Sequence, residues 1–515
     1  MANILGIDLG TTYSAMARLD ENGTPLIVEN SDGENLTPSI VEFAGKNSII
    51  IGTEAKKAMI ISDDKKQKES FAMDAKREIR INSDKTWKAN GVEHSPTSIS
   101  SLILKYLKES FEKQYGEIDS AVITIPANFK NQARSATVEA ANKAGLENVE
   151  LIDEPTAAAF AYAFSSGKRL NGNYVIYDLG GGTFDVSIAQ IKGKDIKILA
   201  KEGIGELGGR DFDHALYELI AKKFKNETGK NLSYKEVDRV LNIEEQKKSL
   251  SKRDLKVNLS IRGKGAADFK ITQKQFNAAI STDIIQTITQ CELVLEDANL
   301  SKNDITEVLL VGGSTRVPLV NDSVNEFFGQ EAKMVGNPDE AVALGAAIYS
   351  AYKIDSRKLN SSQRNTMDGV KIDEITGSAF GTSVLITNPL DENQKLLVNS
   401  IIIEKGVQRP CSVTNDYYTI VDNQTELHLD VTEAEDNDEI DLEWVTTIWE
   451  GDMELPDGRD RGCRIDVTFS FDESGIMHCE FKDVESKRVE EIDLDINRKM
   501  NDSAQDINID EFKVE

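Results

Sequence analysis

The chain has 515 residues, 39% hydrophobic and 29% charged, which suits several domains with real cores and argues against disorder throughout. A formal net charge of −28 at pH 7 disfavours a nucleic-acid surface or an anionic-membrane footprint and favours a soluble, cytoplasmic protein. Cys291, Cys411, Cys463 and Cys479 form no Cys-x-x-Cys spacing, so neither a zinc site nor a disulfide framework is expected, and there is neither a basic leader nor an apolar run near about 18 residues.

The chain opens on Ile4-Leu5-Gly6-Ile7-Asp8-Leu9-Gly10-Thr11-Thr12-Tyr13-Ser14. An apolar run that meets an acid, a glycine and small hydroxyl residues reads as a strand breaking into a tight turn and returning as a strand. Residues 27–52 read as short strands around Pro38. The Lys-rich stretch 65–80 reads as a solvated helix, on which Lys76 alone would be a surface lysine. Pro96-Thr97 starts a helix with Ile99, Leu102, Ile103, Tyr106, Leu107 and Phe111 on one face, stopped by Gly116. A strand over 121–126, an alanine-rich helix over 132–144 and a strand over 149–152 lead to Asp153-Glu154-Pro155 and an apolar helix over 156–164. Acids and proline at a helix start are ordinary capping chemistry, but a strand end in an α/β sheet is also where ligands bind, and Glu154 stays open between the two.

Val175-Ile-Tyr-Asp178-Leu-Gly-Gly-Gly-Thr-Phe-Asp185 then repeats the opening grammar. Either turn alone is ordinary turn chemistry. Recurring at this distance, they suit two homologous lobes whose turns clamp one polyphosphate, with Gly180, Gly181 and Gly182 directing N–H groups onto an anion. Asp8 and Asp178 would then need a cation beside them. Four glycines within 203–209 precede a helix opening at Arg210-Asp211-Phe212-Asp213. The helix over 243–251 carries Glu244, Lys247, Lys248 and Ser251 on one polar face. Val308 to Pro318 repeats the strand-into-glycine pattern without an acid, which suits a nucleobase or ribose, and Asn337-Pro-Asp339-Glu caps the helix over 341–351.

Asp8-Leu-Gly-Thr-Thr-Tyr-Ser, Ile152-Asp-Glu-Pro-Thr-Ala-Ala-Ala, Asp178-Leu-Gly-Gly-Gly-Thr-Phe-Asp and Val311-Gly-Gly-Ser-Thr-Arg-Val-Pro, in this order, closely resemble the DnaK-type chaperones, the 70-kilodalton heat-shock protein family. The resemblance implies an α/β actin-like ATPase of two lobes with RNase H-like subdomains, followed by an antiparallel β-sandwich. It places Gly10, Thr11, Thr12 and Tyr13 in one phosphate loop and Gly180, Gly181, Gly182 and Thr183 in the other, with Thr183 near the attacking water. Asp8 and Asp178 match the carboxylates that hold Mg2+ largely through its waters, and Asp185 joins Asp178 around K+. Lys76 matches the catalytic lysine, Glu154 a carboxylate near magnesium and water, and Glu244, Lys247, Ser251, Gly312, Gly313, Ser314, Arg316 and Asp339 the adenosine pocket of ATP or ADP. Arg134, Pro155 and, in the linker, Glu374 match residues that relay nucleotide state.

On this reading residues 1–353 form the ATPase, 354–375 the linker, 376–498 the β-sandwich and 499–515 an acidic tail. Only two apolar positions of the family's linker survive in Val370-Lys-Ile-Asp-Glu374. Alternating runs over 383–387, 396–403, 418–421, 426–431, 463–471 and 476–481 read as sandwich strands. Leu385, Tyr417, Leu427 and Leu429 would line a pocket for an extended apolar peptide or form sandwich core. Asn128 stands where the family usually has tyrosine and Arg210 where it usually has an acid. A divergent, bacterial-type member without the helical lid is expected, with fast peptide exchange.

The expected function is that of an ATP-hydrolysing chaperone for unfolded polypeptide, with a J-domain protein and a nucleotide exchange factor as implied partners. Its rivals are an ATPase with a dedicated partner-binding β-domain, an actin-like filament protein, and a small-molecule kinase of the same superfamily.

Overall fold

A computed structural model describes the chain apart from residues 1, 46–47, 62–69, 81–84, 90, 148, 389–390, 473–476, 495–512 and 515. Two six-stranded sheets carry its first two thirds in the same order. In the first, Glu150–Asp153, Ser120–Ile125 and Ile4–Asp8 run parallel, and Tyr13–Leu19 and Pro25–Val28 continue antiparallel. In the second, Lys333–Met334, Ile305–Val311 and Asn171–Leu179 run parallel, and Phe184–Lys192 and Asp195–Ile204 continue antiparallel. The repeat read from the two glycine turns is thus a repeat of sheet topology. Asp8 ends its strand, Asp178 precedes the last residue of its own, and a turn into the antiparallel partner follows each. Both middle strands are almost wholly buried, as strands covered on both faces must be.

Small residues join the two halves. The alanine-rich helices Glu154–Ser165 and Ala341–Lys353 pack so closely that a Cβ on Gly345 would lie 1.7 Å from the Ala157 carbonyl oxygen. One apolar cluster containing Val122, Phe160, Ile176 and Ala346 therefore runs from one sheet to the other. The helix expected from residue 96 is Pro96–Tyr115, capped by the Ser95 hydroxyl, which accepts the Ser98 N–H at 3.1 Å, and stopped by Gly116.

The Lys-rich stretch departs from the solvated helix expected of it. Its described part is a strand, Phe71–Met73, paired with Ile40–Phe43, then a corner at Asp74 and the short helix Ala75–Arg80. Lys76 is 6% exposed and is not a surface lysine. Residues 354–375, expected to be a linker, include the helix Ser361–Met367, whose fully buried Gln363 donates to the Asp20 carbonyl oxygen at 3.2 Å. The following Lys371–Asp373 adds a parallel strand to Asp195–Ile204. Val370 and Ile375 on either side of it are buried in the cluster that also takes Ile372.

From Ala379 the chain forms two four-stranded antiparallel sheets packed around Phe469, Phe481, Ile465, Val467, Val431 and Leu429. Two strands, Thr446–Glu454 and Val489–Leu494, escape sequence reading because both are edge strands whose side chains are mostly exposed. The run at 418–421 is also misread. The strand there is Cys411–Tyr418, half-buried and polar, while Ile420 and Val421 lie exposed beyond its end. Residue 476 of one expected strand, and the tail 499–515 apart from the two-residue strand Lys513–Val514 beside Ser48–Ile49, fall outside the described residues. Cys291, Cys463 and Cys479 are buried thiols, Cys411 is partly buried, and none is in a disulfide.

Candidate active site

The two glycine turns face each other across a cleft. A Cβ on Gly181 would lie 2.2 Å from the Thr12 hydroxyl, and one on Gly182 3.0 Å from the Thr11 methyl, so only glycine admits this approach. Every cleft residue expected from the sequence, except Gly182 and Asp185, lines one cavity of about 750 Å³ between the halves. Asp185 lies behind that wall, 1% exposed, where it accepts the Ala127 N–H at 3.0 Å.

Lys76 and Glu154 form a buried ion pair at the cavity floor. Burial disfavours the Lys76 ammonium, but Glu154, Asp8 and Asp185 outweigh it and raise the group above the usual lysine range. Burial, followed by the charge of Glu154, pushes Asp8 up to about 7 and Asp185 to about 8, and Asp178 is raised in the same way. Four carboxylates thus crowd one lysine, and a cation would relieve them. Among the described residues no three His, Cys, Asp or Glu side chains converge closely enough to hold a metal by themselves. A magnesium ion therefore fits beside Asp8 and Asp178 if phosphate and water oxygens complete its shell.

The far end is built from the third glycine turn. Gly312 has φ 80°, and a Cβ there would lie 2.4 Å from the Leu179 carbonyl oxygen. Ser314 donates its hydroxyl to the Gly180 carbonyl at 2.8 Å, and half-exposed Arg316 pairs with Asp339 at 2.9 Å. A Cβ on Gly313 would lie 2.5 Å from the Asp339 carboxylate. Lys247 pairs with Asp213 at 2.9 Å and donates to the Gly209 carbonyl at 2.6 Å, while Ser251 caps the end of its helix. Tyr13, which also lines the cavity, accepts from the Lys56 ammonium at 2.6 Å and donates its hydroxyl to Glu244 at 3.1 Å. Lys56 meets Glu244 at 2.6 Å and closes a bridge over the cleft. Burial would raise Glu244, but Lys56 and Lys248 overcome it and hold the carboxyl at about 2.

A second polar cluster links this floor to the sandwich. Asp153, adjacent to Glu154, takes Arg134 at 2.7 Å and Lys201 at 2.6 Å, and these cations overcome burial to hold it at about 2. Pro155 is buried in the first turn of the following helix. Glu374 pairs with Arg409, whose N–H donates to the Glu374 carbonyl at 2.8 Å. Lys405 of the sandwich pairs with Glu202, and Lys130 meets Glu435 at 2.9 Å. Asp153, Lys201 and Lys56 were not singled out from the sequence. Asp153 could have been, since it belongs to the same acidic pair as Glu154. The four residues considered for peptide binding divide. Leu429 is core, Leu427 and Tyr417 pack against that core, and Leu385 is 44% exposed opposite Leu397, 54% exposed.

Two glycine turns on duplicated sheets thus face each other across a cleft, with a buried lysine–glutamate pair between them and a β-sandwich in contact with the elements that carry it. The family model described as Hsp70 protein matches residues 4–513. The chain belongs to that family, whose members are ATPases and bind client polypeptides and co-chaperones. No helix among the described residues is long and apolar enough to cross a membrane.

Proposed function

We propose that this protein is an ATP-dependent chaperone in which residues 1–353, an actin-like pair of lobes, hydrolyse ATP and thereby change the grip of the β-sandwich on extended apolar polypeptide. The observation that carries this reading is the adjacency of Asp153 and Glu154. One faces Arg134 and Lys201 beside the sandwich, and the next faces Lys76 in the cleft.

Phosphoryl transfer to water needs positioning and charge stabilisation more than covalent chemistry. The N–H groups of the turns at 10–13 and 180–183 hold the phosphates. Lys76 offsets charge on the terminal phosphate, and Glu154 and Thr183 orient the attacking water. Lys247, Ser251, Arg316 and Asp339 hold the adenosine, with the Arg316 guanidinium stacked on the base. Magnesium beside Asp8 and Asp178 supplies charge neutralisation on the phosphates when bound, and Asp178 with Asp185 offers a potassium site. Closure of the lobes moves Asp153 and Pro155 against Arg134, and the segment 354–375 passes that movement to the sandwich. Leu385 and Leu397 present an apolar surface for a client segment. J-domain and nucleotide-exchange partners follow from the family.

A labelled apolar peptide bound in the ADP state tests the coupling. Adding ATP speeds its release by about tenfold or more, within the usual range of coupling between sites. An unchanged release rate would leave an ATPase with a dedicated partner module.

A further inference from the structure

Lys76 sits on a helix of only six residues, too short to fix its own position. Its anchors lie across the cleft. Two residues before it, Asp74 occupies a left-handed φ of 62°, and its carboxylate meets the Arg210 guanidinium at 2.6 Å as an ion pair outside hydrogen-bond geometry. On its other side, Arg77 reaches the Glu206 carbonyl oxygen at 3.3 Å and Asp211 at 3.5 Å. Arg210 and Asp211 open the helix Gly209–Thr228, and that opening is tied to the phosphate turn. The Gly209 N–H donates to the Gly180 carbonyl at 3.0 Å and the Arg210 N–H to the Gly181 carbonyl at 2.8 Å.

The pairing is reciprocal. An acid and a base flanking Lys76 face a base and an acid fixed to the glycine turn. An acid at position 210 would repel Asp74 and compete with Asp211 for Arg77, so the arginine gives this clasp its second half. The Arg210 Nε is buried with no hydrogen-bond partner, which leaves Asp74 as the main compensation for an enclosed charge.

We infer that Arg210, through Asp74, is a positioning residue that sets Lys76 over the phosphates held by Gly180–Gly182 and keeps that end of the cleft shut during hydrolysis. This rests on the ATPase reading above. It assigns Arg210 to the rate of the chemical step and not to ATP affinity.

The test is a double-mutant cycle of Arg210→Met, which keeps the packed stem, and Asp74→Asn, which tolerates the left-handed backbone. Single-turnover ATP hydrolysis and ATP affinity are read on the full chain. Each single variant hydrolyses roughly tenfold more slowly with affinity held within about threefold, and the double variant is no slower than the worse single. Arg210→Lys recovers part of the rate. In a Lys76→Ala background, Arg210→Met adds no further loss. Unchanged rates in both singles, losses that multiply in the double variant, or a loss of affinity equal to the loss of rate would overturn the inference while leaving the ATPase reading intact. Absence of Lys76-dependent turnover in the unaltered protein would overturn both.

Discussion

The carboxylate of Glu433, in the β-sandwich, accepts the backbone N–H of Asn131, the first residue of the helix Asn131–Lys143, at 3.1 and 3.3 Å from its two oxygens. A carboxylate at a helix N-terminus satisfies an otherwise unpaired donor and meets the positive end of the helix dipole. Burial holds the Glu433 carboxyl above its usual range, and the Asn131 N–H, the Ser378 hydroxyl, Lys130 and Arg134 offset only part of that rise. The sandwich therefore caps a helix that lies about 300 residues earlier in the same chain.

Removing that cap loosens the docking. Glu433→Ala weakens the contact by about 1–2 kcal/mol, the usual cost of leaving a buried donor unpaired. Amide hydrogen exchange over 131–134 then accelerates about tenfold, while exchange in the sheet strand Ser120–Ile125 does not change. Equal protection in both proteins would show that the sandwich does not cap this helix in solution.

Lys56, Tyr13 and Glu244 form a bridge beside the proposed nucleotide site, with the Lys56 and Glu244 side chains 20% and 18% exposed. A pair this enclosed exceeds the usual surface ion pair in value. Lys56→Ala accordingly speeds release of a fluorescent ADP by about fivefold, near 1 kcal/mol, with little effect on hydrolysis. Release that stays at the unaltered rate would mean the bridge is open whenever ADP leaves.

His94 lies under Phe43, with ring centroids 4.3 Å apart, and burial lowers its imidazole from 6.5 to about 4. Between those values the unfolded chain takes up a proton that the folded state refuses, so this residue makes stability fall as pH drops from about 6.5 towards 4. Thermal unfolding of His94→Phe should lose less melting temperature between pH 7 and pH 5 than the unaltered protein does. An identical loss would place the acid sensitivity elsewhere.

How far the sequence speaks depends on whether a residue's partner is local. The turns at Asp8 and Asp178 are legible because strand, acid, glycine and returning strand are contiguous, and their repetition foretells the duplicated sheets. The third turn at Gly312 is legible for the same reason. Lys76 reads alone as a surface lysine because the burial that defines it comes from Glu154, far away in the chain. Lys56 and Lys201 escape for that reason too, since each is an ordinary charged residue until the fold sets it against Glu244 or Asp153, and Arg210 is legible as a departure while its partner Asp74 is not. In the sandwich, apolar alternation finds the inner strands and misses edge strands such as Thr446–Glu454, where backbone pairing does the work of side-chain burial.

The proposed coupling of Lys76 chemistry to the sandwich runs through the adjacent Asp153 and Glu154. Single-turnover ATP hydrolysis by the full chain, with and without an unfolded apolar peptide and beside Lys76→Ala, tests it most directly. Peptide is expected to speed hydrolysis several-fold, and the Lys76→Ala protein to bind ATP but turn it over at least about a hundredfold more slowly, the scale of losing one charge-stabilising group. Hydrolysis that persists in Lys76→Ala, or that ignores the peptide in the unaltered protein, would contradict it.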